Sequence, residues 1–386
     1  MEIKMTYNKL TTHAYAILDG QYGSCGKGLI AGYLAETRHP TAVVCAYGPN
    51  SGHTYITRDG TKFVVTQIPV GAISPRCKGI FIGPGSVINP SKMSEEIHML
   101  SDLGLLDLRL TDLIIHECAS VVTDEDLDYE KSIGLAKIGS TLKGSMAAFV
   151  KKLWRQPDNS GMLRVARCML RGTDLAPFVV TESEYNSFLQ KHGYITQIEG
   201  AQGFSLSLNH GFYPYVTSRD VTPLQTFSDC GIPYDKARKV QVYQSLRTYP
   251  IRVNNREGSS GPGYPDQREM DWSEIGIEPE LTTVTKLPRR IFEWSDQQTR
   301  HMDLICGTPD GIFLNFVNYV KDVDYMRKIL DSLHGICGAR GTGIRWVGVG
   351  PSYNDVIDIL DVNARKDPRL EILRAAAEEH HLHIGD

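Results

Sequence analysis

Four glycines between a strand pattern and a helix pattern constrain this chain more than any other feature. Residues 15–18 form a short apolar run typical of a buried strand, and the glycines follow within nine residues, at positions 20, 23, 26 and 28. After them, KGLIAGYLAE has apolar residues at helical spacing. A strand, a glycine-rich turn and a helix bring backbone N–H groups and a positive dipole end to one loop. The stretch predicts an anion-binding loop in which Lys27 supplies charge for phosphate oxygens, with a flexible surface turn as the alternative.

This loop departs from two familiar glycine motifs. Counting back from Gly26-Lys27, Gln21 holds the place of the first glycine in G-x4-G-K-[ST], and Gly28 stands where Ser or Thr would bind Mg²⁺. The loop does not match GxGxxG either, which argues against a dinucleotide-binding fold. Any Mg²⁺ must therefore find other ligands.

The rest of the chain alternates strand-like and helix-like patterns. Apolar runs typical of strands occur at 41–48, 62–69, 79–85, 113–122, 194–200, 240–253, 311–320 and 344–350. Helical spacing occurs between several of them, at 91–104, 146–156, 182–193 and 324–335, and in a charged stretch from Asp367. This alternation predicts an α/β fold with a mainly parallel sheet covered by helices. Without a linker-like tract, residues 1–386 are expected to form one large domain.

Composition excludes several classes of protein. With 41% hydrophobic residues, 22% charged residues and a net charge of −4, nothing favours nucleic acid or an anionic membrane as a partner. The eight cysteines are scattered, which favours neither disulfides nor a cysteine metal site and fits a reducing cytoplasm. The sequence has no apolar signal core and no run of 18 apolar residues, so a cytoplasmic protein is expected.

Three further loops follow strand patterns and carry glycine with small polar residues: GPNSGHT at 48–54, EGAQG at 199–203 and VGVGPSYND at 347–355. Ligands of α/β sheets collect at the carboxyl ends of strands, so these loops are expected to surround one site. His53 within GPNSGHT is either a structural histidine or a functional one, and its glycine-rich polar surroundings favour function.

Five motifs, taken in order, resemble the adenylosuccinate synthetase family. The family pattern QWGDEGKGK resembles residues 21–29, NAGHT resembles 50–54, and GTTGRG resembles 139–144. EGAQG at 199–203 and YPYVTS at 213–218 match without change. The resemblance implies a ligase that joins aspartate to a 6-oxopurine nucleotide. A nucleoside triphosphate first phosphorylates the purine O6, and the aspartate amine then displaces phosphate, so catalysis is mainly positioning and charge neutralisation.

The resemblance also assigns roles to residues of this sequence. Catalysis falls to Ser24, Lys27, His53 and Gln202. The phosphate donor is bound by Gly23, Cys25, Gly26, Lys27, Gly28, Gly52, His53, Thr54, Asn315, Asn318, Gly350 and Pro351. The acceptor nucleotide is bound by Ser24, Asn50, Ser140, Thr141, Arg155, Gln202, Thr217 and Leu287. Aspartate is bound by Thr283, Val284, Thr285 and Arg289, with Arg290 beside them. The metal is Mg²⁺, held by Ser24 and the Gly52 carbonyl. Arg155 fits a position that reaches across a dimer, so a homodimer is expected.

Position 24 departs from the family pattern, which has a catalytic aspartate there that removes the purine N1 proton. Serine is a weak base and a weak metal ligand, so one interpretation is an inactive protein. The other is a changed acceptor, because a shorter side chain leaves room for the 2-amino group of guanine. Ser24 could relay the proton through water, or the bound aspartate substrate could help.

Two more departures occur at ligand contacts. Leu287 falls where the family has an arginine that reaches the ribose 2′-hydroxyl, which favours a deoxyribose. Asn318 replaces an aspartate that reads guanine. An amide both donates and accepts hydrogen bonds and so matches adenine, although an asparagine in a turn is the alternative interpretation.

Together these changes resemble the bacteriophage branch of the family, which makes 2-aminoadenine for DNA. The hypothesis is a ligase that uses dGMP, L-aspartate and ATP or dATP to make N6-succino-2-amino-2′-deoxyadenylate. An ordinary member of the family acting on IMP with GTP, or a non-catalytic purine-nucleotide-binding protein, are the alternatives. A simple P-loop kinase is disfavoured because the Walker Ser/Thr is missing.

Overall fold

A twisted sheet runs through the computed structural model, which describes residues 13–159, 161–255, 258–282, 286–338 and 343–378. Within these residues the strands are β1 (His13–Asp19), β2 (Ala42–Cys45), β3 (His53–Ile56), β4 (Lys62–Val65), β5 (Gly79–Ile82), β6 (Val87–Ile88), β7 (Asp112–His116), β8 (Ser120–Val121), β9 (Val179–Val180), β10 (Ile195–Glu199), β11 (Gln241–Arg247), β12 (Ile251–Arg252), β13 (Glu269–Met270), β14 (Arg290–Phe292), β15 (Gly311–Asn315), β16 (Ile344–Gly348) and β17 (Val356–Asp358).

Helices cover this sheet and connect its strands. In the same described ranges they are α1 (Lys27–Arg38), α2 (Pro90–Asp102), α3 (Asp124–Ser132), α4 (Ser145–Leu153), α5 (Ala166–Met169), α6 (Glu182–His192), α7 (Pro223–Asp229), α8 (Tyr234–Ala237), α9 (Trp272–Ile275), α10 (Asp296–Cys306), α11 (Val323–Ile336) and α12 (Glu371–Glu378). Among these described helices, none is long and apolar enough to cross a membrane.

The central sheet has ten strands within the described part of the chain, in the order β17-β16-β15-β11-β1-β10-β2-β5-β7-β9. All of its neighbouring strands are parallel except β16 and β17. β2 and β5 are buried along their whole length, as expected for strands with helices on both faces. The predicted α/β fold with a mainly parallel sheet is confirmed. Its organisation as one domain stays a prediction.

Glycines in α1 allow this helix to pack closely on β3. A Cβ atom added at Gly28 would lie 3.0 Å from the Thr54 carbonyl oxygen, and one added at Gly32 would lie 2.5 Å from the Tyr55 ring. The Ser or Thr of a Walker loop would therefore be crowded by β3 at position 28. This packing brings the start of β3, and with it His53, beside the glycine-rich loop.

Not every predicted element has the expected extent. The run at 240–253 is two strands, β11 and β12, because Pro250 has no N–H to contribute to a ladder. The C-terminal helix begins at Glu371 rather than Asp367. The sequence patterns missed six of the described helices, α3, α5, α7, α8, α9 and α10, of which α5, α8 and α9 are only four residues long.

Candidate active site

One edge of the central sheet gathers the loops that the sequence singles out. β1 lies between β10 and β11, and β2 and β15 flank that trio, all in parallel. Parallel strands present their carboxyl ends at the same edge. The loops after β1, β2, β10, β15 and β16 therefore share one face, as predicted.

The glycine-rich loop is organised by Asp19, the last residue of β1. Its buried carboxylate accepts hydrogen bonds from the backbone N–H groups of Gln21, Gly23 and Cys25, at 3.0, 3.1 and 3.1 Å. The Cys25 thiol also lies 3.2 Å from Asp19. The sequence predicts that the amides of this loop bind phosphate, but three of them already donate to the Asp19 carboxylate. Sequence reasoning missed Asp19, although an acidic residue between a buried strand and a glycine-rich turn was a usable signal.

Lys27 is held in place from two sides. Its ammonium group lies 3.1 Å from Asp19 Oδ2 and donates to the carbonyl oxygen of Gln202 at 2.6 Å. Gln202 has a φ of 63°, a left-handed conformation that costs energy for a residue with a side chain. Because an ammonium group has three N–H donors, Lys27 keeps one for a substrate oxygen. The structure therefore joins two of the predicted catalytic residues, Lys27 and Gln202.

Ser24 stands at the exposed apex of the loop, also in a left-handed conformation with a φ of 58°. Its carbonyl oxygen accepts a hydrogen bond from Arg247 Nη1 at 3.2 Å. Its neighbour Cys25 is turned inward and fully buried, and burial raises the pKa of that thiol. The Cys25 side chain therefore packs inside the loop and does not face a nucleotide.

His53 begins β3 and is buried against Tyr47. The two rings are stacked, with centroids 4.4 Å apart and planes within 5° of parallel. Burial, and then the positive charge of Lys27, lower the pKa of His53 to about 3. Its Nε2 has no hydrogen-bond partner among the described residues. His53 is therefore a neutral imidazole next to Lys27, and it needs an anionic substrate group nearby before it can carry a proton.

Tyr47 is fixed in turn by Glu199, the last residue of β10. The Tyr47 hydroxyl donates to Glu199 Oε2 at 2.7 Å. The same carboxylate accepts hydrogen bonds from the backbone N–H groups of Val70 and Gly71, at 3.0 and 2.7 Å. Although burial raises the pKa of Glu199, these donors stabilise a carboxylate there. The glutamate of the EGAQG motif is thus a structural anchor.

A recess of about 520 Å³, including its open mouth, lies beside Glu199 and Gln202. It is lined by Ala46, Gly48, Asn50, Val87, Ser145, Glu199, Gly200, Ala201, Gln202, Thr217, Ser218, Arg219, Asp220, Val221, Thr226 and Asp229. Three of the predicted acceptor contacts, Asn50, Gln202 and Thr217, are therefore brought together. The recess has the polar and apolar mixture that a small-molecule site needs.

The other predicted acceptor contacts are not part of that lining. Ser140 and Thr141 are half-buried in the turn before α4, and Arg155 is exposed just after this helix. The N-terminus of α4 is itself occupied, because the Glu130 carboxylate accepts the N–H of Gly144 at 2.8 Å. An acceptor phosphate would therefore meet the preceding turn rather than the end of the helix.

The predicted aspartate loop is described only at its base, because Thr283, Val284 and Thr285 lie outside the described residues. Thr282 accepts the N–H of Leu287 on its hydroxyl at 3.0 Å, and the Leu287 carbonyl accepts the Thr282 N–H at 2.8 Å. Leu287 is half-buried beside this closed base.

The two arginines after this loop differ in their surroundings. The Arg289 N–H is bonded to the Glu280 carbonyl oxygen at 2.8 Å. Arg290 instead forms two bonds with the Glu269 carboxylate, at 2.7 and 2.6 Å, and donates to the Gly261 carbonyl oxygen at 2.6 Å. The expectation that Arg290 grips a substrate carboxylate conflicts with these contacts, because its guanidinium already has an internal partner. Arg289 remains the candidate.

At the predicted donor end, Asn315 and Asn318 behave differently. Asn315 is buried, and its amide donates to the Cys25 carbonyl oxygen at 3.1 Å, which fixes the glycine-rich loop to β15. Asn318 is exposed in the turn that follows. Gly350 lies against the Asp355 carboxylate and Pro351 is exposed. Gly52 and Thr54 are exposed on either side of His53.

A divalent cation would find few protein ligands at this site. No group of three or more His, Cys, Asp or Glu side chains suited to a metal occurs within the described residues. The exposed Ser24 hydroxyl and the exposed Gly52 carbonyl are neutral oxygen groups of the kind Mg²⁺ accepts. The residues fit a magnesium ion that draws most of its ligands from substrate phosphates and water.

A parallel sheet, a glycine-rich loop opening α1, and a buried histidine near the loop lysine define a nucleotide-binding α/β protein. Comparison with known proteins identifies it further. The model of the adenylosuccinate synthetase family matches residues 16–159 and 162–327, and the chain belongs to this family. It is a ligase of the carbon–nitrogen type.

The chain is similar to proteins of two named activities. It is 41% identical over 368 residues to the N6-succino-2-amino-2′-deoxyadenylate synthase of Acinetobacter phage SH-Ab 15497, covering 88% of this chain and 92% of the relative. The adenylosuccinate synthetase of Pyrococcus horikoshii is 27% identical, covering 89% of this chain and 98% of the relative. The solved succinoaminodeoxyadenylate synthetase of cyanophage S-2L, bound to dGMP and dATP as an energy donor, has a TM-score of 0.83 at 39% identity, covering 95% of this chain and 99% of that one.

Proposed function

We propose that this ligase joins L-aspartate to C6 of dGMP, using ATP or dATP, to give N6-succino-2-amino-2′-deoxyadenylate. The observation that carries the proposal is residue 24, an exposed serine at the apex of the glycine-rich loop. A short side chain there leaves space for the exocyclic amine of guanine. The higher identity to the phage synthases than to the archaeal synthetase, 41% against 27%, supports the same acceptor.

The first step activates the purine. O6 of dGMP attacks the γ-phosphorus of the donor, the bond from that phosphorus to the β,γ-bridging oxygen breaks, and the nucleoside diphosphate leaves. The N1 proton passes by way of Ser24 to water. Lys27 is the cation for the transferring phosphoryl group, and its contacts with Asp19 and Gln202 preorganise it. His53 donates a hydrogen bond to the same group as a neutral imidazole. The accumulating negative charge raises its proton affinity from the depressed resting value.

The second step forms the carbon–nitrogen bond. The aspartate α-amine attacks C6 as a neutral nucleophile, the C6–O bond breaks, and inorganic phosphate leaves with one proton from the amine. Arg289 is the proposed partner for a substrate carboxylate, since arginine forms bidentate pairs with carboxylates. Thr283, Val284 and Thr285 are proposed to line the same pocket. A half-buried Leu287 leaves the 2′ position of the acceptor without a polar partner, in keeping with a deoxyribose.

Mg²⁺ is the proposed cofactor. Ser24 and the Gly52 carbonyl would contribute oxygen ligands, while donor phosphates complete the coordination. Bound there, the ion would neutralise charge on the phosphates. Asp19 does not take this role, because its oxygens are already bonded to loop amides and to Lys27. We also propose a homodimer that brings Arg155 to the partner's acceptor phosphate, and activity in the cytoplasm.

Initial-rate assays with purified protein test this proposal. Phosphate release is followed with each acceptor, dGMP or IMP, and with each donor, dATP, ATP or GTP, at saturating aspartate. Faster turnover of dGMP with dATP or ATP is expected, and product mass should show the added succinyl group. Faster turnover of IMP with GTP would instead identify an ordinary adenylosuccinate synthetase. Omitting aspartate is the control, because phosphate release must then stop if the ligase is coupled.

A further inference from the structure

Arg247, the last residue of β11, connects three separate loops. Its side chain is fully buried. Nη1 donates to the Ser24 carbonyl oxygen at 3.2 Å, and Nη2 donates to Glu280 Oε1 at 2.6 Å. The guanidinium carbon also lies 3.8 Å from the centroid of the Phe316 ring. In the proposed function, Arg247, Glu280 and Phe316 contact no substrate.

Each contact lies in a loop that serves a different substrate in the proposed function. Ser24 belongs to the loop between donor phosphates and acceptor base. Glu280 precedes the aspartate loop, and its carbonyl oxygen accepts the Arg289 N–H. Phe316 lies in the turn that carries Asn318. One buried guanidinium is therefore bonded to, or stacked on, parts of all three substrate sites.

Two of these contacts hold strained backbone. Ser24 has a φ of 58° and Phe316 a φ of 61°, and both conformations are uncommon for residues with side chains. Such conformations persist when surrounding contacts determine them, and they cluster at functional sites. Arg247 supplies one such contact to each, through a hydrogen bond to the Ser24 carbonyl and a cation–π contact over the Phe316 ring.

Glu280 strengthens the link between two of the loops. Its Oε1 accepts the Tyr319 hydroxyl at 3.3 Å in addition to Arg247. A shift of the aspartate loop would therefore strain the bonds to Arg247 and to the turn at 317–319. This is a contiguous set of contacts of the kind that carries coupling between sites.

We propose that Arg247 is a positioning residue that keeps the three substrate loops in register, so that aspartate binding favours the productive geometry of donor and acceptor. The inference rests on the proposed function for the identity of the three substrates. It does not make Arg247 a catalytic residue, because the side chain is buried behind the loops. Lysine cannot replace it, since an ammonium group neither stacks as a plane nor bonds in a bidentate manner.

Arg247→Lys tests the proposal, with Arg38→Lys as the matched control. Arg38 also packs on aromatic rings, lying 5.1 Å from the centroid of Tyr243 and donating to its hydroxyl at 2.8 Å. Tyr243 is near the start of β11, whereas Arg247 is at its end. The control thus removes a similar interaction from the same strand at the opposite edge of the sheet.

We expect Arg247→Lys to lower kcat by roughly tenfold to a hundredfold, which is the rate loss expected when reacting groups are displaced by about 1 Å. The KM values for all three substrates should rise. In the parent protein the donor KM should fall as the aspartate concentration rises, and in Arg247→Lys this dependence should be lost. Arg38→Lys should keep the parental pattern. A kinetic pattern in Arg247→Lys that matches Arg38→Lys, or a change in one KM alone, would overturn the proposal.

Phe316→Leu and Glu280→Gln keep the test decisive if Arg247→Lys does not fold. Phe316→Leu removes the ring beneath the guanidinium, and Glu280→Gln removes the charge that Arg247 pairs with. Each should therefore reproduce the altered dependence of donor KM on aspartate to a smaller degree. Parental behaviour in both folded variants would refute the inference. This test is separate from the test of the proposed function. The substrate preference of the parent protein is measured first, and the coupling between sites is then measured with the preferred substrates.

Discussion

The rings of Tyr47 and His53 lie face to face, 4.4 Å apart at their centroids, and the hydroxyl of Tyr47 is fixed by Glu199 at 2.7 Å. The orientation of the imidazole is thus set by a neighbouring ring that a buried carboxylate holds in place. Because burial, and then the charge of Lys27, lower the pKa of His53, this side chain is neutral at rest and can accept a proton beside a cation. This arrangement suits a group that responds only when phosphate charge develops beside it.

His53→Ala should lower kcat by at least about a hundredfold, the usual scale for a group that transfers a proton or stabilises developing charge. Steady-state phosphate release measures the effect. Tyr47→Phe is the control, since it keeps the stacked ring and loses only the hydroxyl, and it should stay closer to the parental rate. A nearly full rate in His53→Ala would remove this residue from the mechanism.

Stability below neutral pH should also depend on His53. In the unfolded chain the side chain gains a proton near pH 6.5, whereas in the folded protein its pKa is about 3. Stability is therefore lost as the pH falls from 6.5 towards 3, by up to about 1.4 kcal/mol per pH unit from this group. Urea unfolding at pH 7, 6, 5 and 4.5 should show a shallower decline in His53→Asn. Exposed His98→Asn should decline like the parent, and equal slopes in all three proteins would contradict this account.

The features that the sequence predicts well are local ones. A buried strand, a glycine-rich turn and an amphipathic helix are adjacent in the chain, so their order gives the loop and the parallel sheet. The part played by Asn315 was not predictable, because its partner Cys25 is 290 positions away. The engagement of Arg290 with Glu269 likewise depends on pairing between β13 and β14.

Asp19 is the main functional residue that pattern reading overlooked, and the reason is geometric. Nothing in the order of residues says that the loop turns back so that its amides meet the end of β1. The same fold-back explains why Gly203 contacts the loop so closely that an added Cβ would lie 2.1 Å from the Gly23 nitrogen. The folded path of the backbone brings the loop amides to Asp19, and the carboxylate of this residue is their common acceptor.

Asp19→Asn should damage both activity and stability. The change removes a charged acceptor from three loop amides and leaves Lys27 without its buried counter-ion. Breaking such a pair costs about 3 kcal/mol of unfolding free energy, and kcat should fall by about a hundredfold as Lys27 loses its position. Urea titration and initial rates measure both. Asp59→Asn is the control, since Asp59 accepts the Thr61 N–H at 3.2 Å in an exposed hairpin turn. Equal effects of the two changes would contradict the role of Asp19.

Ser24→Asp tests the steric basis of acceptor choice. A carboxylate at this exposed apex would fill the space proposed for the 2-amino group, so kcat/KM for dGMP should fall while that for IMP rises. Ser24→Ala is the companion variant, because it keeps the space and removes the hydroxyl, and it should retain the preference for dGMP. Unchanged kcat/KM for both acceptors in Ser24→Asp would mean that residue 24 is not the selector.

Asn318→Asp should move the donor preference from adenine towards guanine nucleotides. The exposed amide can accept from the adenine N6 amine and donate to N1, whereas a carboxylate can only accept, as guanine N1–H and N2–H require. One well-formed pair of this kind discriminates by about tenfold, so the ratio of kcat/KM for dATP to that for GTP should fall by about that factor. Because residue 318 is exposed, thermal stability should be unchanged, and Asn354→Asp in another exposed position should leave the ratio as it was. A constant ratio in Asn318→Asp would show that another group reads the donor base.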